Sequence, residues 1–352
     1  MMPPEGDLAE ILERCADDFA ALRGARVFVT GGTGFVGSWL LASFARANAR
    51  LALRARAVVL ARDPAAFAAA LPGVAHDPAI AFVRGDVRDP HLADGAFDAV
   101  IHAATPASAH LNAATPRLML ETIVDGTRHA LDLASRSGAI PFLLTSSGAV
   151  YGRQPPELAL VDETYAGAPD PLDPHNAYHE GKRVAEMQTA IAARTAGVRA
   201  TVARLFAFAG PYLPLDRHFA IGNFVRDALA GRTIEILGDG TPVRTYLYAA
   251  DMTAWLWRIL VRGEPARAYN VGSEIPVDIR GAAEAVARAA GAPGAVVVRG
   301  TPRPGALPER YAPATARART ELGLEEWTPF DEGLRRTLAW HRAKSHSAGG
   351  VT

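Results

Sequence analysis

The sequence of 352 residues has a single cysteine, almost no lysine and no formal net charge. Cys15 alone forms neither an internal disulfide nor a cysteine-based metal cluster, and we expect no metal. Zero net charge offers no basic surface for nucleic acid or anionic membranes. No apolar run approaches the ~18 residues of a membrane span, and the N-terminus lacks the basic and apolar regions of a signal peptide. These absences favour a cytoplasmic protein without nucleic-acid or membrane partners.

The scarcity of lysine makes one of its two positions informative. Lys182 lies four residues after Tyr178, whereas the other lysine, Lys344, is near the C-terminus. A chain that otherwise uses arginine and keeps lysine here indicates a site that needs a compact ammonium. One helical turn puts both side chains on one face. At roughly 5 Å and an effective dielectric of about 20, the ammonium favours the phenolate by ~3 kcal/mol, or about two pKa units. The pair predicts a proton-exchanging tyrosine with a lowered pKa.

Short apolar strands alternate with helices in the first part of the chain. An amphipathic helix over 7–22 precedes them. The strands are predicted at 26–30, 57–61, 80–83, 98–102, 141–146 and 199–204, and the main helices at 35–46, 115–136 and 176–195. This alternation predicts an α/β fold with a Rossmann-like, doubly wound parallel sheet.

After about residue 205, frequent prolines divide the chain into short segments. We therefore expect a helical extension over 1–24, a dinucleotide-binding domain over 25–205 and a smaller C-terminal α/β substrate domain formed mainly by 206–345. Some segments of this last region are expected to return to the dinucleotide-binding domain. Ligands of such sheets bind in the crevice outside the carboxyl ends of the strands.

A glycine-rich turn joins the first predicted strand to the helix that follows it. Gly31, Gly34 and Gly37 allow a tight turn and a close approach of the backbone to a pyrophosphate. The helix N-terminus at Phe35 and Val36 offers free N–H groups and the positive end of the helix dipole. The turn predicts binding of NAD or NADP.

The end of the second strand bears on the choice of cofactor. A carboxylate there would hold the ribose 2′-OH of NAD, but Ala61 is followed by Arg62. Arginine binds a 2′-phosphate or stacks on adenine, so the sequence favours NADP and leaves NAD open. Further cofactor contacts are expected at the ends of the third and fourth strands, from Asp86, Val87, Ala103 and Ala104.

A serine at the end of the fifth strand completes a catalytic set. The Ser147 hydroxyl can bind the reacting oxygen while Tyr178 exchanges a proton with it and the nicotinamide exchanges a hydride with the adjoining carbon. Ser147, Tyr178 and Lys182 are therefore the predicted catalytic residues, and the last two also contact the cofactor. The predicted chemistry is hydride transfer on an alcohol or ketone.

Together these motifs resemble the extended short-chain dehydrogenase/reductase family, of the NAD-dependent epimerase/dehydratase type, over about residues 26–329. Its members mostly act on nucleotide sugars. The resemblance implies a nucleotide-diphosphate sugar as substrate. It also implies a homodimer in which helices 115–136 and 176–195 of each subunit meet.

Smaller segments carry the resemblance into the substrate region. Segment 238–251 is similar to the family's sugar-nucleotide segment, and 310–312 resembles the C-terminal element of dTDP-glucose 4,6-dehydratases, which implies diphosphate contacts from Arg244 and Arg310. Segments 102–108 and 222–224 look closest to UDP-glucuronate decarboxylases and related epimerases, which implies a substrate contact from Asn223.

The departures from the family pattern reduce the number of candidate reactions. Dehydratases carry an Asp-Glu pair directly after the catalytic hydroxyl residue, and decarboxylases carry a glutamate at the second of these places; here Gly148 and Ala149 stand there. We therefore predict neither dehydration nor decarboxylation. Epimerisation through a transient keto sugar is favoured, net reduction by NADPH is the alternative, and a non-catalytic NADP sensor is a more remote one. Three other family positions differ, at Ile123, Ala207 and Tyr212.

Overall fold

The computed structural model describes residues 1–105, 109–138, 140–216, 219–292 and 294–349, so Pro106–Ser108 of segment 102–108 lie outside the described residues. The strands are β1 (Arg26–Thr30), β2 (Arg56–Ala61), β3 (Ile80–Arg84), β4 (Ala99–His102), β5 (Pro141–Ser147), β6 (Arg199–Leu205), β7 (Phe208–Ala209), β8 (Ile234–Ile236), β9 (Val243–Arg244), β10 (Leu247–Tyr248), β11 (Ala268–Val271), β12 (Val277–Asp278), β13 (Val296–Val298) and β14 (Arg310–Tyr311).

Helices cover both faces of the main sheet and much of the C-terminal region. They are α1 (Glu5–Arg14), α2 (Ala16–Ala20), α3 (Phe35–Arg50), α4 (Pro64–Ala70), α5 (Pro72–Ala75), α6 (Ala109–Ala114), α7 (Pro116–Ser137), α8 (Ala177–Thr195), α9 (Ala220–Leu229), α10 (Ala249–Arg262), α11 (Ile279–Ala290), α12 (Ala316–Leu322) and α13 (Phe330–Gly349). Short 3₁₀ turns lie at Gly148–Tyr151 and Pro174–Asn176.

Seven parallel strands form the main sheet in the order β11-β6-β5-β4-β1-β2-β3. All six predicted strands are present, and the predicted Rossmann-like doubly wound fold is confirmed. The strand order reverses between β1 and β4, which places the expected ligand crevice at their carboxyl ends. The seventh strand, β11, comes from the C-terminal part of the chain and pairs with β6, with Asn270 opposite Arg204.

Alternate residues of the strands face two apolar clusters. Val27 and Val29 face the cluster that contains Trp39 and Trp257, whereas Phe28 faces the opposite cluster. The strands read as nearly continuous apolar runs because the sheet is buried on both faces. This packing fixes the register of the strands. It therefore also fixes the positions of the site residues at the carboxyl ends of the strands.

The N-terminal helix predicted over 7–22 is wrong in detail, because the chain forms α1 and α2 with a break at Cys15. After the break, the buried Asp18 carboxylate pairs with the guanidinium groups of Arg258 and Arg262 on α10. A buried charge is costly unless it is paired, and these ion pairs provide the partners.

Small sheets and helices make up the C-terminal region. The small sheets have the strand orders β12-β9-β14, β13-β8 and β10-β7, and helices α9, α11 and α13 pack around an apolar cluster of their own. We propose that these segments form the expected substrate domain. Within the described chain, no helix is long and apolar enough to cross a membrane.

Candidate active site

The glycine turn after β1 forms a close-packed cradle. Gly31 has a φ of +71°, and a Cβ there would lie 2.3 Å from the Ala103 carbonyl oxygen. A Cβ on Gly37 would lie 2.3 Å from the Gly31 oxygen. No side chain caps α3 at Gly34, so the N–H groups of residues 35–37 remain for a ligand. The geometry fits the pyrophosphate of a dinucleotide.

The side of the crevice beyond β2 carries charged groups. Arg62 is exposed, and its neighbour Asp63 caps α4 by accepting from the Ala66 N–H at 3.0 Å. Asp86 binds Arg88 through both carboxylate oxygens at 3.0 Å, which holds the pKa of Asp86 below its usual range. The expected contact of Asp86 with an adenine amine would therefore have to share oxygens that already accept from arginine.

Small residues at the end of β4 form the floor of the crevice. Ala103 and Ala104 are partly exposed, and the Ala104 N–H donates to Thr30 Oγ1 at 3.3 Å. Thr30 Oγ1 also pairs with His102 Nδ1 at 2.8 Å. Burial lowers the pKa of His102 to about 3, so this imidazole is a neutral structural group. Val87 is buried nearby.

Lys182 lies buried on α8 with its ammonium directed to the end of the sheet. Nζ donates to the Thr145 carbonyl oxygen at 2.7 Å and to Thr105 Oγ1 at 2.8 Å. Burial lowers the pKa of Lys182 to about 7, against the raising effect of the Glu186 carboxylate. Glu186 accepts from Ser146 Oγ at 2.6 Å. Glu186 was not predicted as a site residue, although its spacing of four from Lys182 was a signal for it.

Tyr178 lies beside this lysine, with Nζ 6.0 Å from the centre of the phenol ring. Burial raises the pKa of Tyr178, and the Ser147 hydroxyl only partly opposes the increase. The expected lowering by Lys182 is therefore wrong for the protein alone. The physical reason is that burial disfavours the charged phenolate, and this effect is the largest one acting on the pKa of Tyr178.

Ser147 lies at the end of β5, and Tyr311 lies near the residue that follows it. Ser147 Oγ accepts from the Ala149 N–H at 3.2 Å, and the Tyr311 hydroxyl donates to the Leu205 carbonyl oxygen at 3.4 Å. Tyr311 was not predicted to belong to the site, although it adjoins a predicted substrate residue. Its hydroxyl oxygen lies only 2.7 Å from the point where a Cβ on Gly148 would be.

The predicted substrate residues Arg244 and Arg310 lie on paired strands of one small sheet. Strand register places Arg244 opposite Tyr311 and Arg310 opposite Val243, so the two arginines start on opposite faces of their small sheet. Arg310 Nε donates to the Pro156 carbonyl oxygen at 3.0 Å. The expected diphosphate contacts of Arg244 and Arg310 stay predictions. Among the described residues, neither arginine has an ion-pair partner.

Asn223 lies on α9, away from the contacts described so far. Its Oδ1 accepts from Arg226 Nη1 at 3.1 Å, and the side chain is partly exposed. A role in binding substrate stays a prediction for this residue.

The nearest acidic residues of the preceding loop are engaged elsewhere. Asp162 accepts from the Thr164 N–H at 2.7 Å, and Glu163 accepts from the Asn270 N–H at 2.8 Å. In the described parts of the chain, no carboxylate is hydrogen bonded to Ser147 or Tyr178, and no group of three or more metal-ligating side chains occurs. The arrangement can therefore exchange a proton with an alcohol oxygen.

Known proteins are similar to this chain in fold and in sequence. Residues 27–272 match the model of the NAD dependent epimerase/dehydratase family. UDP-glucuronic acid decarboxylase 2 of Arabidopsis thaliana is 36% identical over 256 residues, 71% of this chain and 54% of that enzyme, so the chain spans about half the length of this relative. dTDP-glucose 4,6-dehydratase of Streptomyces antibioticus is 30% identical over 319 residues, 90% of this chain and 92% of that enzyme.

A solved structure extends the similarity to three dimensions. DesIV, a dTDP-glucose 4,6-dehydratase from Streptomyces venezuelae with NAD and TYD bound, has a TM-score of 0.78 and 27% identity. The match covers 92% of this chain and 98% of that one.

Proposed function

The chain belongs to the NAD dependent epimerase/dehydratase family, and from that premise we propose that it is an NAD(P)-dependent epimerase of a nucleotide-diphosphate sugar. The observation that carries the choice of reaction is the surrounding of Ser147. Gly148 and Ala149 follow it, and Asp162 and Glu163 are bound elsewhere. Epimerisation needs only the hydroxyl groups of Ser147 and Tyr178 and the amine of Lys182. Dehydration and decarboxylation, the reactions of the relatives, need proton transfer by carboxylates.

The residues have different roles in such a reaction. When bound in the cradle of Gly31, Gly34 and Gly37, NAD(P) supplies reversible hydride acceptance. Tyr178 accepts the proton of the sugar hydroxyl when this group is oxidised to a carbonyl. It donates a proton back when the carbonyl is reduced to the hydroxyl. Ser147 donates a hydrogen bond to that oxygen. The product is an isomer of the substrate, so no net oxidation occurs.

Two observations favour a second candidate, an NADPH-dependent reductase of a nucleotide 4-keto sugar. Burial keeps Tyr178 protonated, which suits a group that donates a proton to a carbonyl oxygen. Arg62 is exposed at the end of β2, and Ala61 stands where a carboxylate would hold the ribose 2′-OH of NAD.

Mass analysis separates these reactions. The protein is incubated with dTDP-glucose, CDP-glucose and UDP-glucuronate, and separately with a nucleotide 4-keto sugar and NADPH. An isobaric product that separates from the substrate by chromatography supports the epimerase, and a gain of two hydrogens with consumption of NADPH supports the reductase. Loss of water or of carbon dioxide would overturn both. Tyr178→Phe is the control that ties turnover to this site.

We also propose that the protein is a homodimer joined through α7 and α8. The two helices pack side by side, since a Cβ on Gly181 would lie 3.1 Å from Ile123. Their outer surface leaves Met187 63% and Ile191 53% exposed, with Leu120 and Val184 also exposed. Large apolar side chains clustered on one surface indicate a protein interface.

A further inference from the structure

We propose that Glu186 is a positioning residue of the active site, which anchors α8 to the ends of β5 and β6 and acts through Lys182, one helical turn away. The proposal rests on the proposed function only in assigning Lys182 to the catalytic set. It holds equally for epimerisation and for reduction, because both use the same lysine.

Glu186 and Lys182 bind consecutive residues of β5. Lys182 Nζ donates to the Thr145 carbonyl oxygen at 2.7 Å, and Ser146 Oγ donates to Glu186 Oε1 at 2.6 Å. Glu186 and Lys182 lie four residues apart, on one face of α8. The next residue of β5 is Ser147. The helix that carries the predicted catalytic lysine is therefore joined at two adjacent points to the strand that ends at the predicted catalytic serine.

Arg204 holds the Glu186 carboxylate from the neighbouring strand β6. Strand register places Arg204 beside Ser146. Arg204 Nε donates to both carboxylate oxygens, at 3.0 and 3.2 Å, and Nη2 donates to Oε2 at 2.7 Å. The side chains of Glu186 and Arg204 are only 14% and 15% exposed. Hydrogen bonds between such charged groups are strong, and several of them together fix the direction of the carboxylate.

Two further side chains fix the arginine. Arg204 Nη1 donates to the Tyr151 hydroxyl at 2.8 Å, and this hydroxyl donates to Asn270 Oδ1 at 2.8 Å. Asn270 lies on β11, opposite Arg204 in the strand register. Hydrogen bonds thus connect Glu186 on α8 with three adjacent strands, β5, β6 and β11. The sheet therefore sets the position of this helix at the active site.

The Glu186 carboxylate also acts on the charge of Lys182. An anion one helical turn away favours the ammonium form, whereas burial disfavours it and lowers the pKa of Lys182 to about 7. Two other titratable groups lie beside this lysine. Burial lowers the pKa of His102 on β4 to about 3 and raises that of Tyr178 on α8, so both are uncharged near neutral pH. From β5, the lysine meets the neutral Thr145 carbonyl oxygen.

The test follows the titration of Lys182 by NMR of protein labelled with ¹³C-lysine. The chain has only two lysines, so Lys344→Met identifies the Lys182 signal. In the other samples Lys344, on α13, serves as an internal reference. Glu186→Gln keeps the shape of the side chain and removes its charge. We therefore expect Lys182 to titrate at lower pH in Glu186→Gln than in the wild type.

A second variant keeps the test valid if Glu186→Gln folds poorly because Arg204 is left buried without its charged partner. The double variant Glu186→Gln/Arg204→Met removes both charges. It should also titrate at lower pH at Lys182, and it excludes an effect of an unpaired Arg204. A Lys182 titration at the wild-type pH in the double variant would overturn the proposal, whatever the single variant shows.

A matched control is available in Glu180, which also lies on α8. It precedes Lys182 by two residues, so it lies on a different side of the helix, where it pairs with Arg183 at 3.6 Å. Glu180→Gln should leave the Lys182 titration unchanged. An equal shift in this control would point to a general effect of charge on α8 and would contradict the proposal.

Ser146→Ala tests the anchor itself, since it removes one hydrogen bond of Glu186 and keeps the charge of the carboxylate. With a substrate that is turned over, kcat should fall by about 3- to 10-fold, the range of one hydrogen bond. KM should stay nearly unchanged, because the bond holds the helix and not the substrate. An unchanged kcat would refute the anchoring role. The lysine titration requires no substrate, so failure of the proposed reaction leaves the action of Glu186 on Lys182 decided on its own.

Discussion

Replacing Lys182 with methionine should make the stability difference between variant and wild type depend on pH. The Lys182 side chain is 3% exposed, and burial lowers its pKa from 10.5 to about 7. The unfolded chain keeps the lysine proton up to about pH 10. Between about pH 7 and pH 10 the unfolded state therefore binds more protons than the native state, and the stability of the wild type rises with pH.

The size of the effect follows from the pKa. One pKa unit corresponds to about 1.4 kcal/mol, and the native lysine is half protonated near pH 7 and almost wholly deprotonated at pH 9. This group should stabilise the wild type by about 2 kcal/mol between pH 7 and pH 9. Lys182→Met also removes the hydrogen bonds to Thr145 and Thr105. This loss shifts the stability of the variant in the same direction at both pH values.

Urea unfolding of both proteins at the two pH values, at one protein concentration, measures the difference. All other titrating groups are common to the two proteins and cancel in the comparison. A free-energy difference between wild type and Lys182→Met that stays constant from pH 7 to pH 9 would refute the reasoning.

Three further predictions concern catalysis, cofactor choice and assembly. Tyr178→Phe should lower kcat by on the order of 10²–10⁴ with cofactor affinity little changed, and turnover near that of the wild type would contradict the assignment. Ala61→Asp should shift preference towards NAD by ~1–3 kcal/mol in cofactor titrations, and a wild type that prefers NAD more than tenfold would show that Arg62 does not select NADP. Met187→Glu should convert a dimer into a monomer in light scattering. The control Leu237→Glu, at a site 83% exposed on another surface, should leave the dimer intact. A monomeric wild type at micromolar concentration would exclude the interface.

The sheet was predictable from sequence because its signals are local. Buried strands such as β1, β4 and β5 read as short apolar runs, and glycines at 31, 34 and 37 mark the turn into α3 whatever the rest of the chain does. The predicted helix over 7–22 failed for the opposite reason. Beside its break at Cys15, Asp18 pairs with Arg258 and Arg262, which lie far along the chain, so the sequence around residue 15 does not indicate these ion pairs.

The catalytic residues were named from their type and spacing, but their protonation was not predictable in this way. The spacing of Tyr178 and Lys182 indicates proximity, which favours a phenolate. Burial acts in the opposite direction on both groups, and its extent depends on helices and strands from the whole chain. For a buried pair, the desolvation of each partner can outweigh the attraction between them.

Tyr311 shows the same limit in a different form. Its neighbour Arg310 matches a sequence pattern, yet the strand register puts Arg310 at Pro156 and directs the Tyr311 hydroxyl to the space beside Gly148. Alternation along a strand sends adjacent residues to opposite faces, so a pattern that names a pair of residues does not say which of them lies there. Gly148 has no side chain to fill this space, and the Tyr311 hydroxyl packs into it instead. The position of Tyr311 thus depends on a glycine that lies far earlier in the chain.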